Sequence, residues 1–519
     1  MLRLDNVKLL DVNKEPNREA YVGLTPPNEG LAKVLVNKAD GRIVEIVGND
    51  QPSGDEVGDV EVERIDCGGR TVMPGLIDSH VHVTASSANL RLPASMPPSL
   101  VYCRSVPILE GMLSRGFTTV RDCGGADHGL AAAVAEGSIR GPTVVFCGKA
   151  LSQTGGHGDF RAAGENALAS GPCRCCNNTI GRVCDGITAC REAVRDEVRK
   201  GASHIKIMAS GGVASPTDRL ENLQFSEEEL RAIVEEASNA GVYCAAHAYT
   251  DVAVARAIRC GVRSIEHGNY ASRATLRQLA AAGGFLVPTL VTYDRLTKDG
   301  VEGGMAPELV AKIGDLVSAG QRTLAAARAE KVDVCYGSDL LGSMHGWQTH
   351  GLKLHLAALP EGRVGAAELL ASLTATPARM LRMEQNIGHV LPGYVADLLV
   401  VDGDVLSDPG GVLTDSEKNV RVIVKNGRVF KNTLVTVKTT DTNANDGGAG
   451  GGGGGASGGG GGGEDRPNIK REPSDTRAYA PKFESAEEEG SGGGGGGSRR
   501  VKREAEESHV AGGTKRERR

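Results

Sequence analysis

The sequence predicts an α/β protein: a (β/α)8 TIM barrel, a small β-sandwich built from both ends of the folded region, and a disordered Gly-rich tail. The chain has 519 residues and 72 glycines, 23 of which fall within residues 441–519. The first 440 residues exceed one average domain and fit a barrel of about 250 residues with a smaller companion. Within them, eight short β-rich runs alternate with segments of helical period, as in βα units around a parallel sheet.

The β-sandwich is predicted from residues 1–70 and 386–436, which flank the predicted metal-binding barrel at residues 71–385. Both ends contain short β-like runs broken by Gly, Asn, Asp and Pro, such as Val34–Val36 and Arg42–Val47. A later Asn-Gly pair at residues 426–427 is a hairpin signal. We therefore expect one domain that the barrel interrupts.

The predicted barrel strands are short runs rich in apolar and β-branched residues. They are Ile77–Val83, Thr118–Cys123, Thr143–Cys147, His204–Met208, Tyr243–Ala248, Ser264–His267, Phe285–Leu290 and Val334–Ser338. Helices are expected between them. One is Ser226–Ala240, where Ser226 and Glu229 have the spacing of a capping box.

The tail, residues 437–519, consists of Gly runs with Ser, Glu, Lys and Arg. It has too little apolar surface to offset the entropy of ordering, so we predict disorder. Two tetrapeptides, around Lys470 and Lys502, resemble sumoylation sites, which makes these lysines candidates for modifier conjugation. A solvated charged tail is the alternative.

The charge balance and hydropathy exclude several partners. The chain has 59 Lys and Arg against 65 Asp and Glu, for a net charge of −6, so no basic field for nucleic acid is present. The longest uncharged stretch of the first 440 residues, Gln278–Tyr293, contains Gly-Gly and Pro and is too short to span a membrane. The charged start is unlike a signal peptide. We expect a cytoplasmic protein, with the nucleus as the alternative, that binds neither nucleic acid nor membranes.

Metal-ligand residue types lie at the ends of several predicted strands. His80 and His82 end the first strand, and a spacing of two directs both rings to one face, at the barrel mouth. Lys206, His247 and His267 lie at the ends of the fourth, fifth and sixth strands, and Asp339 follows the eighth. Each alone is compatible with a hydrogen-bonded core or rim residue. Together they favour a metal centre.

Lys206 is unusual because Ile205 and Ile207 flank it. Burial favours the neutral form of a lysine, and a neutral amine can add carbon dioxide. The resulting carbamate has anionic oxygens that can bridge two divalent cations. The alternative is a lysine in a salt bridge with a neighbouring carboxylate.

The motifs that contain these residues resemble the metal-dependent amidohydrolase superfamily. Within it they are most similar to the imidazolonepropionase-like branch, which includes Xaa-Pro dipeptidases and fungal ochratoxinase. The resemblance covers about residues 1–435 and is carried by Pro74–His82, His204–Asp218, Ala246–Thr250, Ser264–Gly268 and Gly337–Asp339.

The resemblance implies a binuclear site, with zinc as the default metal. His80, His82 and Asp339 would hold the more buried ion, and Asp339 would also shuttle the proton. His247 and His267 would hold the second ion, and the Lys206 carbamate, formed with carbon dioxide, would bridge the two.

Other residues receive roles from the same resemblance. His157 would polarise the substrate carbonyl and Tyr249 would bind substrate; the alternatives are a loop-capping histidine and a rim tyrosine. Thr217 and Asp218 are interpreted as structural. Relatives are commonly oligomeric, so a homo-oligomer is expected.

Two features depart from the family pattern. Five cysteines follow the third predicted strand, and they either recruit a structural zinc or remain plain thiols; they are Cys173, Cys175, Cys176, Cys184 and Cys190. His350 stands where a carboxylate is expected, which leaves the substrate contacts there open.

The sequence therefore predicts a binuclear metal-dependent hydrolase that cleaves an amide bond, as in a dipeptide or an N-acyl amino acid. A hydroxide that bridges the two metals would be the nucleophile. One alternative is hydrolysis of a cyclic amide, lactone or ester on the same metals. The other is a non-catalytic scaffold with a modified tail.

Overall fold

A computed structural model of the chain describes residues 1–13, 21–24, 31–54, 61–165, 180–434 and 436–437. These residues all belong to one compact unit, Met1–Thr442. The tail after Val437, with Lys470 and Lys502, lies outside the described residues. Among the described residues, no helix is both long enough and apolar enough to cross a membrane.

The first six strands belong to a mixed sheet. They are β1 (Leu2–Asn13), β2 (Tyr21–Leu24), β3 (Ala32–Asn37), β4 (Arg42–Gly48), β5 (Glu63–Asp66) and β6 (Thr71–Pro74). Strand β1 pairs with four of the others: antiparallel with β2 and β3, and parallel with β5 and β6.

The next ten strands form two parallel sheets. The three-stranded sheet has the order β7 (Leu76–Val81), β8 (Phe117–Asp122), β9 (Thr143–Phe146). The seven-stranded sheet contains β10 (Ala150–Ser152), β11 (Gly181–Val183), β12 (His204–Met208), β13 (Tyr243–Thr250), β14 (Ser264–Tyr270), β15 (Phe285–Val287) and β16 (Asp333–Val334). Its order is β11-β10-β12-β13-β14-β15-β16. Backbone hydrogen bonds join the two sheets, from Ser79 N–H to the Tyr336 carbonyl (2.8 Å) and from Ser203 N–H to the Phe146 carbonyl (3.0 Å).

Each of the eight predicted runs overlaps a strand of these parallel sheets, but five extend past the end of the strand, and two of these, Phe285–Leu290 and Val334–Ser338, do so by three residues or more. Helix α8 begins at Leu290, because Pro288 lacks an amide donor and Thr289 is left-handed at φ 42°. Strand β16 ends at Val334, since Tyr336 N–H donates to the Ser372 carbonyl rather than to a neighbouring strand. The sequence also missed β10 and β11, which have three residues each.

The last four strands complete the mixed sheet, so both ends of the described chain meet in it. They are β17 (Leu398–Val401), β18 (Val420–Lys425), β19 (Arg428–Asn432) and β20 (Thr436–Val437). The strand order is β19-β18-β17-β6-β1-β3-β4. In addition, β2 and β5 pair with β1, and β20 pairs with β5. The predicted Asn-Gly hairpin joins β18 to β19, with φ 49° at Asn426 and 69° at Gly427. Val437, predicted as tail, pairs with Arg64.

The helices lie mainly between the parallel strands. They are α1 (Leu92–Ser95), α2 (Pro98–Ser114), α3 (His128–Ala135), α4 (Gly186–Arg199), α5 (Glu227–Asn239), α6 (Asp251–Arg259), α7 (Arg273–Ala281), α8 (Leu290–Asp299), α9 (Pro307–Val310), α10 (Leu316–Ala329), α11 (Gly351–Leu356), α12 (Arg363–Leu373), α13 (Ala375–Met380), α14 (Pro409–Thr414) and α15 (Ser416–Asn419). Short 3-10 helices span Ala311–Ile313 and Gly342–His350. The predicted capping box at Ser226 and Glu229 starts α5.

Side-chain alternation along the parallel strands separates a helix-covered face from a polar one. Ile205 and Ile207 of β12 join the apolar cluster that includes Leu230 of α5 and Val254 of α6. Because successive residues of a strand point to opposite sides, Lys206 between the two isoleucines faces away from these helices. The helices therefore leave the other face of β12 to the polar cavity described next.

Candidate metal centre and active site

The structure brings His80, His82 and Asp339 together. His80 lies near the end of β7, and His82 comes one residue after the strand. The Nε2 atoms of His80 and His82 lie 3.5 and 3.4 Å from the same Asp339 oxygen, Oδ1. Three ligand-type atoms thus lie within 4.8 Å of one another, a spacing that one cation can fill.

The other ring nitrogen of each histidine already has an acceptor. His80 Nδ1 lies 2.7 Å from Glu266 Oε2, and His82 Nδ1 lies 2.9 Å from the Gly124 carbonyl oxygen. Both contacts favour a proton on Nδ1, which leaves the Nε2 lone pair free to bind a metal.

Glu266 is itself held by a buried ion pair. Arg121 Nη2 donates to its Oε1 at 2.7 Å, and the Ser264 hydroxyl donates to the same oxygen at 2.6 Å. The side chains of Arg121 and Glu266 are both fully buried. This carboxylate therefore fixes the orientation of the His80 ring from behind.

Lys206 lies in the same cavity, as the middle residue of β12. It is 1 % exposed, and its Nζ lies 3.5 Å from His80 Nε2. Among the described residues, no carboxylate oxygen lies within salt-bridge distance of Nζ. In the described part of the chain, Lys206 therefore does not form the salt bridge that was the alternative interpretation of its sequence.

His247 and His267 form the opposite side of the cavity. Their ring centroids are 4.6 Å apart, and His267 lies 5.2 Å from the His80 ring. His247 Nε2 donates to the Gly211 carbonyl at 3.0 Å, which leaves Nδ1 free. His267 Nδ1 lies 2.7 Å from the Thr289 hydroxyl, which leaves Nε2 free.

Two of these residues have backbone conformations that are uncommon for side chains with a Cβ. His267 has φ 74° and Asp339 has φ 51°. Such strained conformations cost about 1–3 kcal/mol each and are often found at functional sites. In the middle of β14, the positive φ of His267 interrupts the regular alternation, and Glu266 and His267 both approach His80.

Burial decides the protonation of the cluster. It lowers the pKa of His80, His247 and His267 well below the ordinary value and lowers that of His82 to about 3. These rings are therefore neutral, as metal ligands must be. Burial also raises the pKa of Asp339 to about 7. The cavity thus offers neutral nitrogens and a carboxylate that a cation would stabilise.

The two predicted substrate-contacting residues line the same cavity. The His157 ring stacks on His247 with centroids 4.2 Å apart. Tyr249 meets His247 edge-on at 4.8 Å and is 3 % exposed, so it is not an exposed rim residue. Apolar side chains form much of the remaining wall; they include Leu90, Ile180, Val213, Leu296 and Leu341.

His350, Cys184 and Cys190, which belong to the two departures from the family pattern, are not among the residues that line this cavity. His350 is half-buried beside Asp294, with Nε2 3.6 Å from the carboxylate, and is not among the lining residues. Cys184 and Cys190 are buried, with their sulfur atoms 3.8 Å apart. Cys173, Cys175 and Cys176 lie outside the described residues, so the structural zinc stays a prediction.

Several residues around the cavity were not identified as functional from the sequence. Arg121 and Glu266 were given no role, and Asp218 was interpreted as structural, although it is buried and hydrogen-bonded to Ser215 behind His157. The one available signal was the position of Glu266, a charged residue directly before the predicted ligand His267 in a buried strand.

Comparisons with known proteins agree with this geometry. Residues 71–430 match the model of the amidohydrolase family. The chain is 30 % identical over 369 residues to an ochratoxinase from Aspergillus niger, covering 69 % of this chain and 75 % of that protein.

Solved structures give the same result. A prolidase complexed with N-methylphosphonate-L-proline is similar, with a TM-score of 0.75 and 45 % identity, covering 83 % of this chain and 99 % of that one. A Xaa-Pro dipeptidase with bound methionine has a TM-score of 0.68 and 26 % identity over the same shares. Because the family model spans most of the folded chain and includes every residue of the cavity cluster, this protein belongs to the amidohydrolase family and is a hydrolase.

Proposed function

We propose that this protein is a binuclear metal-dependent hydrolase that cleaves the amide bond of a dipeptide or an N-acyl amino acid. One observation carries the proposal: four histidines, a lysine and an aspartate, carried by five parallel strands or by the segments that follow them, converge on a single buried cavity. The similarity to an ochratoxinase, a prolidase and a Xaa-Pro dipeptidase supports an amide substrate. We further propose that the two parallel sheets form one (β/α)8 barrel at residues 71–385, with a sandwich at residues 1–70 and 386–436.

The donor set fits two divalent cations, with zinc as the default. His80 and His82 offer Nε2 to one ion together with Asp339, and nitrogen and carboxylate donors of this kind suit zinc. His247 offers Nδ1 and His267 offers Nε2 to the second. Lys206, as a carbamate, would supply an oxygen to each. When bound, such ions polarise a carbonyl group and lower the pKa of water.

Asp339 is the group that moves the proton. Its Oδ1 faces the Nε2 atoms of His80 and His82, and its backbone is fixed beside His80 by a hydrogen bond from Asp339 N–H to the His80 carbonyl (2.8 Å). In this position it accepts the proton of the attacking water and returns it to the leaving amine. His157 and Tyr249 hold the substrate carbonyl and the remainder of the substrate against the metals.

The test is a substrate screen with metal-stripped and zinc-reloaded protein. The panel contains Xaa-Pro dipeptides, N-acyl amino acids of the ochratoxin kind, and lactone and ester controls. We expect zinc-dependent release of an amino acid from members of the amide group. His80→Asn should abolish it, and His350→Asn, outside the cavity, should not. Hydrolysis confined to lactones or esters, or full activity in His80→Asn, would contradict the proposal.

A further inference from the structure

We propose that Ser215 and Asp218 are positioning residues that turn Nδ1 of His157 away from the cavity and leave Nε2 to face the substrate. This inference rests on the proposed function, since it concerns how His157 is presented to the amide. It assigns a task to Asp218, which the sequence analysis interpreted as structural, and to Ser215 in the same loop, residues 211–218 after β12.

The direction of the hydrogen bonds follows from the partners of Asp218. Its Oδ2 accepts from Gln224 Nε2 at 2.8 Å and from Gly212 N–H at 3.2 Å, and its Oδ1 accepts from the Ser215 hydroxyl. An ionised carboxylate has no proton to donate and only accepts, and Lys312 Nζ lies 3.7 Å from Oδ1 as a nearby positive charge.

Because the single Ser215 proton goes to Asp218, the Ser215 oxygen is left as an acceptor. His157 Nδ1 lies 2.7 Å from this oxygen and therefore donates to it. His157 lines the cavity, and within the described part of the chain its Nε2 has no hydrogen-bond partner. The ring thus has one anchored nitrogen and one nitrogen available to substrate.

The position of the ring is also set from its sides. One face stacks on His247, and the backbone of Gly212 lies against the ring. A Cβ added at Gly212 would meet His157 Cε1 at 2.1 Å, which is far closer than any non-bonded contact. Gln224 Oε1 accepts from His157 N–H at 2.8 Å, so backbone and side chain are both fixed.

The shape of the loop does not depend on the Ser215 hydroxyl. Lys312 Nζ donates to three loop carbonyls, those of Gly212 (3.3 Å), Ser215 (2.7 Å) and Asp218 (2.7 Å). Removing the hydroxyl should therefore release the His157 ring while the loop backbone stays in place. This separation makes a positioning role testable apart from a structural one.

The experiment compares Ser215→Ala and Asp218→Asn with Thr217→Ala, an exposed neighbour in the same loop. On a substrate found in the screen, the first two variants should lose about tenfold to 100-fold in kcat, as when an orienting partner of a reactive histidine is removed. In Ser215→Ala, KM, zinc content and Tm should stay near wild type, and Thr217→Ala should behave as wild type in every measurement. Wild-type kcat in both variants, or a loss matched by Thr217→Ala, would overturn the proposal.

A second measurement does not need activity. In zinc-loaded protein with ¹⁵N-labelled histidine, the His157 signals, assigned by their loss in His157→Asn, should show the proton on Nδ1. Ser215→Ala should change this tautomer pattern. A proton fixed on Nε2 in the wild type would contradict the inference, whereas a wild type that hydrolyses no amide would contradict only the proposed function.

Discussion

Glu266→Gln tests whether the buried carboxylate behind His80 sustains metal binding. Glu266 accepts from His80 Nδ1 with one oxygen and from Arg121 and Ser264 with the other. A glutamine has one acceptor oxygen and one NH2 group. The glutamine oxygen can therefore accept a hydrogen bond from Arg121 or from His80, but not from both. The donor that is left over then faces the NH2 group, which cannot accept.

The contacts of Glu266 allow an estimate of two effects of the substitution, one on metal affinity and one on the free energy of unfolding. If the amide nitrogen faces His80, Nδ1 no longer has an acceptor, and the ring shifts its proton to Nε2, where the metal should bind. Loss of such a partner costs about tenfold to 100-fold in metal affinity, which is about 1.4 to 2.8 kcal/mol at 1.4 kcal/mol per tenfold. The Arg121 charge also loses its counterion in a fully buried position, for which a loss of about 3–5 kcal/mol in the free energy of unfolding is typical.

The two effects are measured separately. Zinc affinity is measured by competition with a chelator of known affinity, and stability by urea unfolding of the metal-stripped protein. Ser264→Ala is the matched control, because it removes a hydrogen bond to the same carboxylate, worth about 1 kcal/mol, without touching His80. A folded Glu266→Gln protein that binds zinc as tightly as Ser264→Ala would refute the reasoning.

Three further predictions concern the metal bridge, the proton shuttle and acid stability. Lys206→Ala should lose much of its metal content, and a short carboxylic acid in the buffer should partly restore it. If elemental analysis shows that the variant still binds two metal ions per chain, Lys206 does not hold the metals as a carbamate. Asp339→Asn should keep most of its metal, while its kcat should fall by a factor of about 10² to 10⁴. A near-normal kcat would show that Asp339 does not transfer the proton. Burial lowers the pKa of His355 to about 4, so the folded state binds fewer protons than the unfolded state below about pH 6.5. The free energy of unfolding should therefore fall as the pH drops from 6.5 to 4, and more steeply in wild type than in His355→Phe; equal slopes would contradict this.

The positions of Lys206 and of the pair His80 and His82 were predictable from side-chain alternation along a strand. In β12 the isoleucines at 205 and 207 pack under helices, so Lys206 between them had to face the other side. The same period of two placed His80 and His82 on one face, and both contact Asp339. For these three residues, the alternation of neighbouring residues along the strand was enough to predict the side to which each side chain points.

The residues behind the ligands were not predictable, since their contacts depend on long-range packing and on irregular backbone. Regular alternation would have turned Glu266 away from the side that His267 faces, and only the positive φ of His267 lets both approach His80. Asp218 contacts His157 only through Ser215, and Ser215 lies 58 residues after His157 in the sequence. No periodic pattern in the sequence connects two residues at that separation.

Zinc titration of the metal-stripped protein, followed by amide hydrolysis, tests whether catalysis depends on a centre of two metal ions. We expect no turnover without metal, and activity that rises with added zinc and levels off at about two equivalents per chain. Full amide hydrolysis by protein that elemental analysis shows to be free of metal would contradict this expectation, as would a stripped protein that binds no zinc.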